Sequence, residues 1–142
     1  MSGESNLETL LKSIRPEMQD GVFVFCSLPQ GQPLPKDISP ISIFREREGT
    51  AFVMRREQAE RAGLPYEFPS RLITLTVHSA LDAVGFLAAV TSQLAGVGIS
   101  VNPVSAFYHD HLFVPHERAD EALRLLMVNQ DVVSARPCRE LS

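Results

Sequence analysis

The chain has little of what marks a secreted protein, a membrane protein or a nucleic-acid binder. Only two of its 142 residues are cysteine, Cys26 and Cys138. They lie far apart and form no metal or disulfide spacing. They read as free thiols in a reducing cytosol, so a cytoplasmic location is expected. No apolar run reaches the roughly 18 residues that span a bilayer, so no membrane partner is expected. The start Met1-Ser2-Gly3-Glu4 is polar and acidic and does not read as a signal peptide. There is no surplus of positive charge: 13 Lys and Arg stand against 17 Asp and Glu, a net charge of −4. Tyr66, Phe68, Phe107 and Tyr108 could stack bases, but no basic groove accompanies them, which excludes nucleic acid as the expected partner. Catalytic signatures are also missing. No nucleophile has a recognisable base, and there is no glycine-rich phosphate loop and no paired-acid motif. No cofactor is expected.

What is present is the composition of one compact globular body, or of two very small ones. Hydrophobic residues make up 44% and charged residues 21%. The stretch Ser70 to Val104 organises the rest. An apolar strand, Leu72 to Val77, runs into His78 and Ser79. A long apolar helix, Leu81 to Ala95, follows, with Val84, Leu87, Val90/Thr91 and Leu94 as its inner stripe. Gly96 and Gly98 end it, and a second strand covers Ile99 to Ser105. The helix carries almost no charge beyond Asp82, so its outer face is expected to be covered by another element or another chain. A homodimer is the expectation.

Upstream, Leu7, Leu10, Leu11 and Ile14 form one helical stripe that starts at Ser5 and is closed by Pro16. Gly21 to Cys26 is a continuous apolar run, hence a strand buried on both faces. Leu28 to Pro40 holds five prolines and glycines, a surface connection. Ile41 to Phe44 and Thr50 to Met54 flank a charged tip, Arg45 to Gly49, and read as a hairpin. A short helix, Glu57 to Ala62, stops at Gly63. Leu64 to Pro69 is extended, and the boundary between a first unit (1–68) and a second (69–142) is placed there. Downstream, a strand spans Ala106 to Val114, a helix His116 to Met127 and a closing strand Val132 to Ala135.

Two stretches are alike. Phe52-Val53 with Glu57 to Ala62 parallels Phe113-Val114 with Glu117 to Ala122, at an offset near sixty if Arg56 is an extra residue. Each half then contains β-β-α in the same order, and the chain is a duplication. The second half reads β-α-β-β-α-β, the ferredoxin-like order. The first half has a proline loop where the second has its long helix. The expected fold is therefore α+β: two ferredoxin-like βαββαβ units in tandem, the first reduced, with their sheets side by side.

From His78 through Leu87, and again from Leu94 to Asn102, the sequence resembles the ACT domain. Asp82 and Gly85 match that domain's loop and Gly98-Ile99 the lead-in to its second strand. Ala83-Val84-Gly85 departs from it, since many members have proline before the glycine, and Asn102 sits slightly later than the usual asparagine. Over nearly its full length the chain resembles stand-alone bacterial tandem-ACT proteins. Tyr66 to Pro69, Leu72 to Ser79, Val84 to Leu87, Asn102 to Ser105 and Tyr108 to Pro115 carry that resemblance. It implies a regulatory module without catalytic activity that binds a small molecule, an amino acid being the ligand class expected.

The residues support a place for such a ligand. The first N–H groups of a helix lack internal partners and carry partial positive charge, which suits a carboxylate. Asp82 could take the ammonium group, His78 and Asn102 add polar contacts, and Gly85 permits close approach. The candidate binding set is His78, Ser79, Leu81, Asp82, Val84, Gly85 and Asn102, with the junction between units as a second location. The structural alternative is that Ser79 and Asp82 only cap the helix and Gly85 only lets it pack. His109 and His111 share one strand face, but one face supplies two ligands and Asp110 points away, so no metal is assigned. Cys26 lies in an apolar run and reads as inert. The competing functions are a ligand-free structural or protein-interaction module, with an unidentified protein partner, and a histidine-dependent metal protein.

Overall fold

The computed structural model describes residues 11–76 and 85–128. Helix α1 is described at residues 11–13, followed by β1 (Arg15–Met18), β2 (Phe23–Pro29), β3 (Ser42–Arg45), β4 (Gly49–Arg55) and α2 (Arg56–Arg61). Then come β5 (Glu67–Thr76), α3 (Phe86–Gly96), β6 (Asn102–Ser105) and β7 (Asp110–Pro115). A 3-10 turn, His116–Arg118, leads into α4 at residues 119–128. All seven strands form one sheet in the order β3-β4-β2-β5-β7-β6, with β1 also paired to β5.

Every pairing in that sheet is antiparallel. The ten-residue β5 is its centre. One edge of β5 pairs with β2 near Glu67 and Ser70, then with β1 from Ile73 to Thr76. The other edge pairs with β7 from Ser70 to Leu75. The start of β5 thus closes the first unit, and its remainder opens the second. β1 takes the edge of β5 that a closing strand fills in the β-α-β-β-α-β order.

The helices and the proline loop lie on one face. There Ile73, Leu75, Leu112 and Val114 from the sheet meet Phe86, Val90 and Leu94 of α3 and Ala119, Ala122 and Leu126 of α4, all buried. Ile14 completes this core with no exposed surface. On the same face of the first unit, Val24, Cys26, Leu28, Phe52 and Met54 pack under Ala59 of α2, with Leu34 and Ile38 of the loop against them. The opposite face has no described helix. Its centre is an aromatic cluster of Phe23, Val53, Leu72 and Phe113, with Phe25 and Phe68 against it. Phe25 meets Phe113 and Phe68 edge to face at 5.5 and 5.7 Å. Phe68 adopts φ 57° where the β2–β5 register shifts, a bulge that carries its ring onto this face.

The duplication is visible in the register. Ser42 pairs with Val53, Ile43 with Phe52 and Phe44 with Ala51; sixty residues on, Asn102 pairs with Phe113, Pro103 with Leu112 and Val104 with His111. Ala59 and Ala119 are equivalent buried helix positions. The offset is constant, so Arg56 is not an insertion: Val53, not Phe52, corresponds to Phe113. Strand alternation decides this, because Val53 and Phe113 share the open-face cluster while Phe52 points under α2. Between β2 and β5 the offset falls to forty-seven, since Ser27 faces Ala51 as Thr74 faces His111. The thirteen missing residues lie where the second unit has α3. The first unit is the reduced copy.

Three other expectations need amendment. Pro16 does not simply close the first helix; it lies within β1, paired opposite Leu75. The long helix expected from Leu81 is described as α3 from Phe86, with Gly85 as its N-cap at φ 88°; residues 81–84 lie outside the described residues. Phe86, absent from the expected stripe, is buried. The strand expected from Ala106 starts at Asp110, because 106–109 turns, with the Ala106 N–H donating to the His109 carbonyl at 3.0 Å. The strand expected at Val132 to Ala135 lies outside the described residues.

Candidate functional site

Gly85 marks where the chain passes into α3. Its left-handed backbone is one that L side chains disfavour, so glycine is required there by conformation. Among the described residues no side chain caps the helix, and the Gly85 carbonyl accepts the Ala89 N–H at 2.9 Å. His78, Ser79, Leu81, Asp82 and Val84 lie outside the described residues. Asn102, the first residue of β6, is exposed and pairs with Phe113. That register puts it on the open face of the sheet, level with Leu72, whereas α3 covers the other face. The structure does not bring Asn102 beside Gly85.

It does bring together a second set on the open face. A groove of about 510 Å³ is lined by Glu17, Asp20, Arg55, Thr74, His109 and His111, with Phe23, Leu72 and Ile41 as apolar floor. Beside it an apolar slot of about 140 Å³ is lined by Ile41, Leu72, Val104, His111 and Phe113. Ile41, Leu72 and His111 line both. Residues of both units and the shared β5 meet here, so this is the junction between units.

Strand alternation explains the lining. Leu72, Thr74 and Thr76 share one face of β5; Glu17 stands opposite Thr74 on β1, and His111 stands opposite it on β7. His111 Nδ1 and Thr74 Oγ1 are hydrogen-bonded at 3.0 Å. Burial pushes the His111 imidazole below its ordinary range, neighbouring His109 adds to this, and Asp110 opposes it. At neutral pH His111 is therefore uncharged, offering one donor and one acceptor. The His109 ring lies 6.1 Å from that of His111, and its Nδ1 is buried with no hydrogen-bond partner among the described residues. The Arg55 guanidinium sits over the Phe23 ring, 5.4 Å from its centroid.

Sequence reading put His109 and His111 on one strand face; His109 instead lies in the turn before β7, but both rings line this groove. It missed Glu17, Asp20, Arg55 and Thr74. The alternation of Leu72-Ile73-Thr74-Leu75-Thr76 was the available signal for Thr74. Nothing local joined it to residues 15–20, because β1 was not recognised. Chemically the groove offers charges of both signs, the neutral His111 imidazole and hydroxyls. Among the described residues no group of three His, Cys, Asp or Glu could hold a metal. Cys26 lies on the other face, its thiol pushed up by burial, which disfavours the reactive thiolate.

An α+β protein with all described helices on one face of a shared antiparallel sheet, repeated at a fixed offset, belongs to the tandem ferredoxin-like class. Its sequence matches the ACT-domain family twice, over residues 2–71 and 67–127. The chain belongs to the ACT-domain family and carries two such domains in tandem. The family is one of regulatory, ligand-binding modules.

A Vibrio cholerae protein of unknown function, described as a possible transport protein, is 43% identical, with a TM-score of 0.78 over 87% of this chain and 95% of that one. An Agrobacterium tumefaciens protein shares the fold at 22% identity, with a TM-score of 0.67 over 82% of this chain and 89% of its own. So does a C-terminal regulatory domain assigned to aspartate kinase from Porphyromonas gingivalis, at 14% identity and a TM-score of 0.57, over 82% and 96%. No curated protein matches significantly.

Proposed function

We propose that the protein is a non-catalytic regulatory module that binds an amino acid, works in the cytoplasm as a homodimer and acts through assembly or a protein partner. The observation that carries this reading is the pair of ACT-domain matches spanning residues 2–127. Aspartate kinase regulatory domains with this fold lend it support. We take the units to divide between residues 68 and 69. Candidate ligand contacts are His78, Ser79, Leu81, Asp82, Val84 and Gly85 at the approach to α3, with Asn102 and the junction groove on the other face. Support for a dimer comes from α3, whose outward Ala88, Ser92 and Ala95 are exposed and uncharged. Among the described residues no helix is long and apolar enough to cross a membrane.

Thermal unfolding in the presence of each of the twenty amino acids tests the reading. A ligand of the native state raises the melting temperature by mass action, and at 100 times Kd the gain is about 2.7 kcal/mol. At least one amino acid should raise it in a dose-dependent way. No rise with any of them at millimolar concentration would remove the reading. The interaction-module alternative would then gain, favoured by the β6–β7 tip, where Phe107 and Tyr108 are 73% and 77% exposed.

A further inference from the structure

The His111–Thr74 pair is not needed to build the sheet. The first unit closes the equivalent register with Ala51 opposite Ser27. What the second unit places there is polar, half-buried and aimed into the junction groove. A buried imidazole nitrogen without a partner among the described residues, His109 Nδ1, stands beside it. Buried polar atoms without partners are uncommon and call for an explanation.

We propose that this groove and its slot form a binding site for an aliphatic amino acid. The inference rests on the reading that the protein binds an amino acid, and it selects the place and the side-chain class. Glu17 and Asp20 supply negative charge for the ammonium group, and Arg55 supplies the fork that a carboxylate accepts. None of the three forms an ion pair with another described residue. The slot beside them is walled by Ile41, Leu72, Val104 and Phe113, with His111 its one polar side chain other than Ser42. It takes a branched apolar side chain and offers nothing to a charged one. His111 lines both compartments, so neutral imidazole separates the polar head from the apolar tail without adding net charge. This face is opposite to the one that α3 covers.

Calorimetric titration with L-leucine, L-isoleucine, L-valine and, as control, L-lysine tests it on the intact protein. The aliphatic probes should bind and lysine should not. Arg55→Gln should weaken binding by about tenfold or more through the lost carboxylate contact. Val104→Phe, which fills the slot from an edge strand, should do the same with the melting temperature preserved. Asp120→Asn, exposed on α4, should change nothing. In ring-labelled protein the His109 and His111 signals should move with leucine, and that of His116 should not. Aliphatic binding that survives both Arg55→Gln and Val104→Phe, or that moves only His78, overturns the groove and leaves the amino-acid reading standing. Binding confined to other amino acids has the same effect. Failure of all twenty overturns both.

Discussion

Gly85 shows how a residue's backbone can outweigh its side chain. An L-residue in the left-handed region costs about 1–2 kcal/mol. Gly85→Ala should therefore lower stability by about 1 kcal/mol in urea denaturation, and Gly85→Val by more, because β-branching stiffens the side chain further. Equal stability in all three proteins would contradict the conformation at the start of α3. His111 gives a pH signature. Its imidazole is pushed down by burial and by His109, whereas the unfolded residue titrates near 6.5. Below that value the unfolded chain binds the extra proton first, so stability falls as pH drops from 6.5 towards the folded value and is unaffected well above it. The urea midpoint should decline between about pH 7 and 5, and less so in His111→Gln. Identical declines would place the effect elsewhere. At this scale the sequence was partly legible. It pointed to Gly85 as special and singled out two histidines that line the groove, but a φ angle and a burial shift depend on neighbours that it does not name.

Among elements, β1 is the instructive one. It has four residues, begins Arg15-Pro16 and holds no fully buried residue, so it has neither the length nor the apolar content to mark it. Proline suits it because it is an edge strand that can spare an N–H. Its partner β5 lies almost sixty residues on, and only that pairing reveals it. The β3–β4 hairpin was legible because its own tip closes it: Glu46 and Gly49 exchange backbone hydrogen bonds at 2.8 and 3.2 Å. Helix α2 was legible for a similar reason, stopping at Gly63 with φ 68°. The end of α3 is fixed at longer range. Arg118 donates to the Val97 and Gly98 carbonyls, both at 3.0 Å, where the helix dipole favours a cation. Ile14 anchors β1 to the α3–α4 core with no exposed surface. Ile14→Ala should cost roughly 2–5 kcal/mol, against about 0.5 or less for the exposed Phe107→Ser. Similar losses in the two variants would contradict the placement of β1.

For the whole molecule, the shared β5 is the consequential feature. Its first residues close one unit and its last ones open the other, so neither unit keeps a complete sheet without it. Calorimetry should show one transition whose van't Hoff and calorimetric enthalpies agree. Two resolved transitions would mean that the units fold independently. The duplication was legible because two acidic, Ala-rich helices, Glu57 to Ala62 and Glu117 to Ala122, each follow a hairpin. The groove was not, because it is assembled from β1, β4, β5 and β7, which meet only when the sheet closes around its middle strand.

The claim that two ACT domains here serve ligand binding is tested most directly by calorimetric titration of the intact protein with the amino acid that most raises its melting temperature. Saturable heat at a fixed number of sites per chain is the predicted result. Heats of dilution alone, at millimolar ligand and with every amino acid tried, would contradict it.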